Sequence, residues 1–237
     1  LTSLGGYLFV GDRNRSLISI DGLSGITIVH SHLFVRINTA LENLDGLRNI
    51  PSVVGDFFVY GNSALVDIDG LSSLTSVRGF CAVERNDALT NLDGLGTLTS
   101  VGMNLHVQDN ENLTDIRGLR NVSSIGRDLW IYGNESLTNI DSFPSLTNLP
   151  GELMILQNDA LTNLDGLSNL TEIGSHLTIN ANSSLASIVG LSGVTTVGGD
   201  VRVLGDPELT SLAGLHNLTS IGEGLAVGQN RSLRSIE

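Results

Sequence analysis

Leu98-Thr99-Ser100-Val101-Gly102-Met103-Asn104-Leu105-His106-Val107-Gln108-Asp109-Asn110-Glu111-Asn112-Leu113-Thr114-Asp115-Ile116-Arg117-Gly118-Leu119-Arg120-Asn121 is one turn of a pattern that the whole chain repeats. The 24-residue unit starts at Leu1, Ile26, Ile50, Leu74, Leu98, Val122, Leu146, Leu170, Val194 and Leu218, with one extra residue near Arg13 in the first. Self-similarity at a fixed period of this size marks a solenoid. One unit is too small to bury a core, so each packs on its neighbours.

Columns of the aligned units give the coil its inside and outside. Position 16 is Leu in all ten units, from Leu17 to Leu233, and position 22 is Leu except for Phe143. Position 19 is Ile or Leu, and positions 1, 4, 8 and 10 are aliphatic throughout or nearly so. These columns must point inward, each fully buried aliphatic side chain being worth roughly 1.5–3 kcal/mol before entropy is subtracted. Positions 7 to 11 alternate between variable and apolar, as in Leu129-Trp130-Ile131-Tyr132. Such alternation predicts a strand with one buried face, one per coil, stacked in parallel at about 4.8 Å. The other apolar positions recur every third residue, which suits tight turns and short 3₁₀ pieces. The expected fold is an all-β parallel solenoid of ten coils, with residues 1–237 as one continuous body. The chain opens on a first position and stops at Glu237, position 20 of the last unit, as a segment of a longer protein would.

Two polar columns read as scaffold. Position 13 is Asn in nine units, and Asp206 replaces it in the ninth. Asn satisfies backbone groups at turns with its own amide, so a stacked column predicts a ladder of such bonds. Asp-Gly recurs at positions 20 and 21, as in Asp45-Gly46 and Asp93-Gly94, and is turn chemistry. A row of calcium ligands is the sharper alternative. Arg117, Val189 and Ala213 interrupt that row, and calcium asks for six to eight oxygens. The Thr row at position 2 has no paired Thr-x-Thr rank, so ladder bonding explains it better than an ice-binding face.

The net charge is −13, with no basic stripe, which argues against nucleic acid and anionic membranes as partners. No apolar run is long enough to span a bilayer. Cys81 is the only cysteine, so no internal disulfide framework exists, and at inward position 8 it reads as a buried, inert thiol. His30, His32, His106, His176 and His216 show no metal-ligand spacing, and neither a phosphate loop nor a nucleophile elbow is present. No catalytic residue, metal or cofactor is expected.

Lines such as Asn158-Asp159-Ala160-Leu161-Thr162-Asn163-Leu164-Asp165-Gly166-Leu167 resemble leucine-rich-repeat relatives, and most of all the receptor L-domain family. The likeness covers essentially the whole chain. It implies a right-handed β-solenoid, an extracellular or cell-surface setting, and binding or adhesion rather than catalysis. Receptor L domains have capped, cysteine-bonded ends; this chain has neither, so no receptor-kinase role carries over.

The outward strand positions 7, 9 and 11 escape the consensus. Tyr7, Phe9, Phe34, Phe58, Tyr60, Phe80, Trp130, Tyr132 and Met154 lie there, while Phe57 and Phe143 alone among the aromatics fall in core columns. One cluster occupies units one to three and another unit six. Aromatic-rich outer surfaces mark interaction sites; cover by an adjoining part of a longer chain, or rings tolerated as good strand formers, are the competing readings. The expected ligand surface is this face, with a protein or glycan partner. The alternative is a structural rod whose uncapped ends stack on other copies. Asn112, Asn121, Asn169 and Asn217 stand in Asn-x-Ser/Thr sequons outside the ladder column and are the glycosylation candidates. The sequons at Asn14, Asn134, Asn182 and Asn230 fall on the ladder, where burial is expected.

Overall fold

A computed structural model describes residues 1–236. Glu237, the last residue of the expected solenoid, lies outside the described residues. Ten coils stack into a parallel β-solenoid, and no α-helix occurs among the described residues. Positions 8–11 of every coil form a four-residue strand, from Leu8–Gly11 to Leu225–Gly228, in one ten-stranded parallel sheet. Register advances by one repeat from strand to strand, so Leu105 pairs with Leu129 and Val107 with Ile131. Like residues therefore stack on like along the whole axis. The core is one continuous aliphatic column, with Phe57 and Phe143 its only aromatic members, both fully buried.

Across the core, positions 3–4 form two-residue strands. These split into a six-stranded sheet ending at Ser124–Ile125 and a four-stranded one starting at Asn148–Leu149. The break has a local cause. At position 5 the N–H normally donates to the position-4 carbonyl of the preceding coil: Gly126 to Val101 O at 2.9 Å, Gly174 to Leu149 O at 2.8 Å. Coil 7 has Pro150 there, and proline has no N–H to give.

The Asp-Gly turns close as short 3₁₀ helices, for instance Asp45–Leu47 and Asp93–Leu95, in every coil but the sixth and the incomplete tenth. Glycine is required by close approach. A Cβ on Gly118 would stand 1.7 Å from the carbonyl oxygen of Leu92 in the coil below. Coil 6 carries Ser142 at this position and loses the helix: Ser142 N–H turns back to Ile140 O at 2.6 Å instead.

Position 12, where each long strand ends, has positive φ in all ten coils, from 50° at Asp109 to 71° at Gly205. Only Gly61, Gly133 and Gly205 meet that demand with glycine. At the others, including β-branched Ile37 at φ 55°, the left-handed conformation costs about 1–2 kcal/mol. The stack tolerates this because the next residue is the buried ladder Asn.

That ladder is the spine of the fold. Asn38, Asn62, Asn86, Asn110, Asn134, Asn158 and Asn182 are fully buried. Asn86 N–H donates to Asn110 Oδ1 at 3.1 Å, and its Nδ2 donates to Val59 O and to Glu84 O, both at 3.0 Å. Each side chain thus satisfies backbone groups of the preceding coil, and those of Asn86, Asn134, Asn158 and Asn182 reach a carbonyl of their own coil as well, which a buried turn needs. Asn14, at the start of the ladder, is exposed and Asn230 half-buried, so the expectation of burial fails for those two sequons. Each is near an end of the stack, with fewer coils to cover it.

Candidate functional site

The alternation of the long strands sends positions 7, 9 and 11 of all ten coils to one outer face. On it His32, Phe34, Phe58, Phe80, His106 and Trp130 form one row of rings crossing coils 2 to 6. Successive centroids are 5.4, 5.3, 5.2, 4.3 and 4.2 Å apart. Phe34 and Phe58 of the first sequence cluster are thereby joined to Trp130 of the second, while Tyr7 and Phe9 stay outside the row. Coil 4 has the small Ala82 at position 9, and Phe80 from position 7 spans the gap between Phe58 and His106. Ala82 is buried as a result.

His32 and His106 were passed over because they were weighed only as metal ligands. The column would have found His106: it stands at position 9, like Phe34, Phe58 and Trp130. Burial presses His106 toward its neutral form, lowering its pKa to about 4, with Asp128 pulling weakly the other way. A neutral ring stacked at 12° on Trp130 behaves as an aromatic member of the row.

The other expected residues flank this row. Arg36 lies over the Phe9 ring at 5.0 Å. Arg85 donates to the Tyr60 hydroxyl at 3.0 Å and lies over its ring at 5.6 Å. Met154 pairs in register with Trp130. Tyr7, at 66% exposure, stands apart from the stack. The rings of the row itself are half-buried or buried rather than open, because they cover one another. Three polar atoms at its far end are buried without a hydrogen-bond partner: Asn104 Oδ1, His106 Nε2 and Trp130 Nε1.

Position 7 carries a second ladder, which the sequence reading missed. His32 Nδ1 accepts the Asp56 N–H at 2.9 Å, Asp56 Oδ1 that of Phe80 at 2.9 Å, and Asp128 Oδ1 that of Glu152 at 2.8 Å. His176 and Asp200 repeat the arrangement in coils 8 and 9, accepting from Asp200 and Gly224. The signal was the recurrence of Asp and His in that column, at His32, Asp56, Asp128, His176 and Asp200, side chains that accept an N–H.

Beside the aromatic row the surface is acidic. A groove of about 440 Å³ is lined by Tyr132, Asp109, Glu135, Gln157 and Asp159 among others. A second, of about 270 Å³, lies between Phe34, Phe58, Tyr60, Arg36 and Glu84. Burial, then the nearby Asp109, raises the Glu84 carboxyl above its ordinary value, with Arg85 and Gln108 opposing.

His176, Asp200 and Glu223 bring donor atoms within 4.8 Å of one another. The His176 Nδ1 lone pair is already taken by the Asp200 N–H, and the Arg202 guanidinium holds Asp200 Oδ2, so a cation would displace existing partners. Cys81 is fully buried, which pushes its thiol up to about 12. Asn112, Asn121, Asn169 and Asn217 are exposed, and each amide donates to a backbone carbonyl of the preceding coil. No described helix is long and apolar enough to cross a membrane. No family model matches this chain, and neither does any curated protein.

Proposed function

We propose that this chain is a non-catalytic binding module of the receptor L-domain type, working outside the cell or at its surface, with the aromatic strand face as its contact surface. The observation that carries the reading is the single row from His32 to Trp130, in a chain whose aromatic content is only 4%. Nothing in the fold requires rings there: coils 8 to 10 present Thr178, Arg202 and Ala226 at the same position and keep the same sheet. The unpartnered polar atoms of Asn104, His106 and Trp130 add to it, since buried polar groups are ordinarily satisfied.

A protein partner suits this face better than a glycan. Sugars stack on open ring faces, and here the pairs His32–Phe34, Phe58–Phe80 and His106–Trp130 are stacked on one another, which leaves fewer faces open. The acidic groove alongside, with Asp109, Glu135 and Asp159, favours basic side chains in that partner. The test is a screen of the full chain against arrays of extracellular proteins and of glycans, repeated with the Phe34→Ala, Phe58→Ala, Trp130→Ala triple variant. A protein ligand whose affinity falls at least about a hundredfold in the variant, with the circular dichroism spectrum unchanged, is expected. A ligand bound equally well by the variant overturns the reading.

A further inference from the structure

The ladder column contains one residue with the wrong chemistry for it. Asp206 stands in coil 9 where every other coil has Asn, and it is fully buried. One of its oxygens does the work of the asparagine oxygen: Oδ1 accepts the Asn182 N–H at 2.8 Å and Asn182 Nδ2 at 3.0 Å. The other, Oδ2, takes the place of the amide nitrogen and has no partner.

The surroundings of that place are visible in the neighbouring coils. Asn182 Nδ2 donates to Ile155 O at 3.1 Å, to Asn180 O at 3.2 Å, and to the next ladder oxygen. Asn230 Nδ2 donates to Val203 O at 2.9 Å. The same register puts Ile179 O, Leu204 O and Asn230 Oδ1 around Asp206. All three are acceptors. An ionised carboxylate there turns its lone pairs and its charge against them in a dry interior, where an unpaired charge is most costly. A proton on Oδ2 removes the charge and restores a donor.

We infer that Asp206 is carried in the ladder as the neutral carboxylic acid, its hydroxyl replacing the asparagine amide, and that its ionisation is a pH-sensitive latch holding coils 9 and 10 to coil 8. No opposite charge faces it. Its ladder neighbours Asn182 and Asn230 are amides, and the flanking strands Leu177–Asn180 and Leu225–Gly228 carry no ionisable side chain. On its own strand Arg202 points outward and is paired with Asp200. His176 and Glu223 lie at the opposite ends of the strands. Asp159, Glu208 and Arg231, in the turns around it, are exposed to solvent.

Burial raises the Asp206 carboxyl above its ordinary value, and the two hydrogen bonds from Asn182 offset this only in part. The folded chain therefore holds this proton more tightly than the unfolded one. The stability it contributes is complete below the unfolded carboxylate value and is lost as pH rises through the folded value.

The experiment compares the wild-type chain with Asp206→Asn by hydrogen exchange of the coil 9 and 10 amides, from about pH 4 to about pH 8, after correction for intrinsic exchange. The ratio of wild-type to variant opening constants should climb with pH, by up to about tenfold per unit, and level off above the folded value. A ratio that does not change with pH overturns the inference. Asn158→Asp provides the converse measurement: it should import the same pH dependence into coils 6 to 8. An Asn158→Asp chain with the pH response of wild type overturns the inference as well.

Discussion

The two walls of this solenoid come from the same ten coils, yet one is continuous and the other is not. The long strands pair without a gap from Leu8–Gly11 to Leu225–Gly228, whereas the short strands opposite stop pairing between Ser124–Ile125 and Asn148–Leu149. The chain around this gap departs from the repeat at Ser142 for Gly and Phe143 for Leu, before the second strand, and at Pro150 for a residue with an N–H, just after it. None of these changes reaches the other wall, where Trp130 still faces Met154 in register. The difference lies in what joins the coils. The continuous wall has four-residue strands bordered by the Asn ladder, so each coil is held by many backbone and side-chain bonds. The short wall has two-residue strands, and the loss of one donor is enough to end the pairing.

The largest effect is expected where the continuous wall is attacked at its border. Asn134→Ala strands the buried Asn110 N–H and removes the side-chain donor to Val107 O and Tyr132 O, while Asn158 Oδ1 keeps only the backbone N–H of residue 134. Each unmet buried group costs about 1–3 kcal/mol, so the variant should lose roughly 3–5 kcal/mol in denaturant unfolding. Thr99→Ala, which removes an exposed bond to Thr75 O on the short wall, should cost no more than about 0.5 kcal/mol. Equal losses for the two would refute the contrast.

An intermediate effect is expected from His106, on the outer face of the continuous wall. Its folded pKa of about 4 lies below its ordinary value of 6.5, so between these values the unfolded chain binds a proton that the folded chain refuses. Stability attributable to His106 is then present above pH 6.5 and falls as pH drops toward 4, by roughly 2–3 kcal/mol in total. Its sign is opposite to that of Asp206. His106→Phe should keep the aromatic row and remove this part of the acid sensitivity. Identical pH profiles of melting temperature for wild type and variant would mean that the ring is not shielded from protonation.

A smaller gain should come from repairing the short wall. Ser142→Gly removes a buried hydroxyl that has no partner and the Cβ that excludes the 3₁₀ turn. A gain of about 1 kcal/mol is expected, together with slower exchange at the Phe143 amide as the turn forms. If exchange there is unchanged, the bulk of Phe143, rather than the Ser142 Cβ, causes the irregularity.

The scaffold was legible because a 24-residue period converts columns of sequence directly into rows in space. Leu at position 16, Asn at position 13 and Asp-Gly at positions 20 and 21 each recur often enough to show what the coil requires of them. The candidate surface was legible only as an inventory. Phe34, Phe58, Phe80 and Trp130 could be assigned to the outer face, but not to one row. That joining depends on Phe80 leaning over Ala82 and on His106 surrendering its charge to burial, and neither follows from a residue's own column. The polar ladder at position 7 was missed for a related reason: its His and Asp share no identity, only the ability to accept a backbone N–H.

The sequence by itself determined the coil: its length, its inward columns, its strand, and the direction in which everything variable must point. Each of these follows from periodicity, which acts on every repeat alike and so appears ten times over. Only the tertiary structure decided what happens between particular coils. The gap at Pro150, the row from His32 to Trp130 and the unpaired oxygen of Asp206 arise from one residue meeting another 24 positions away, where distance, burial and lone pairs decide the outcome.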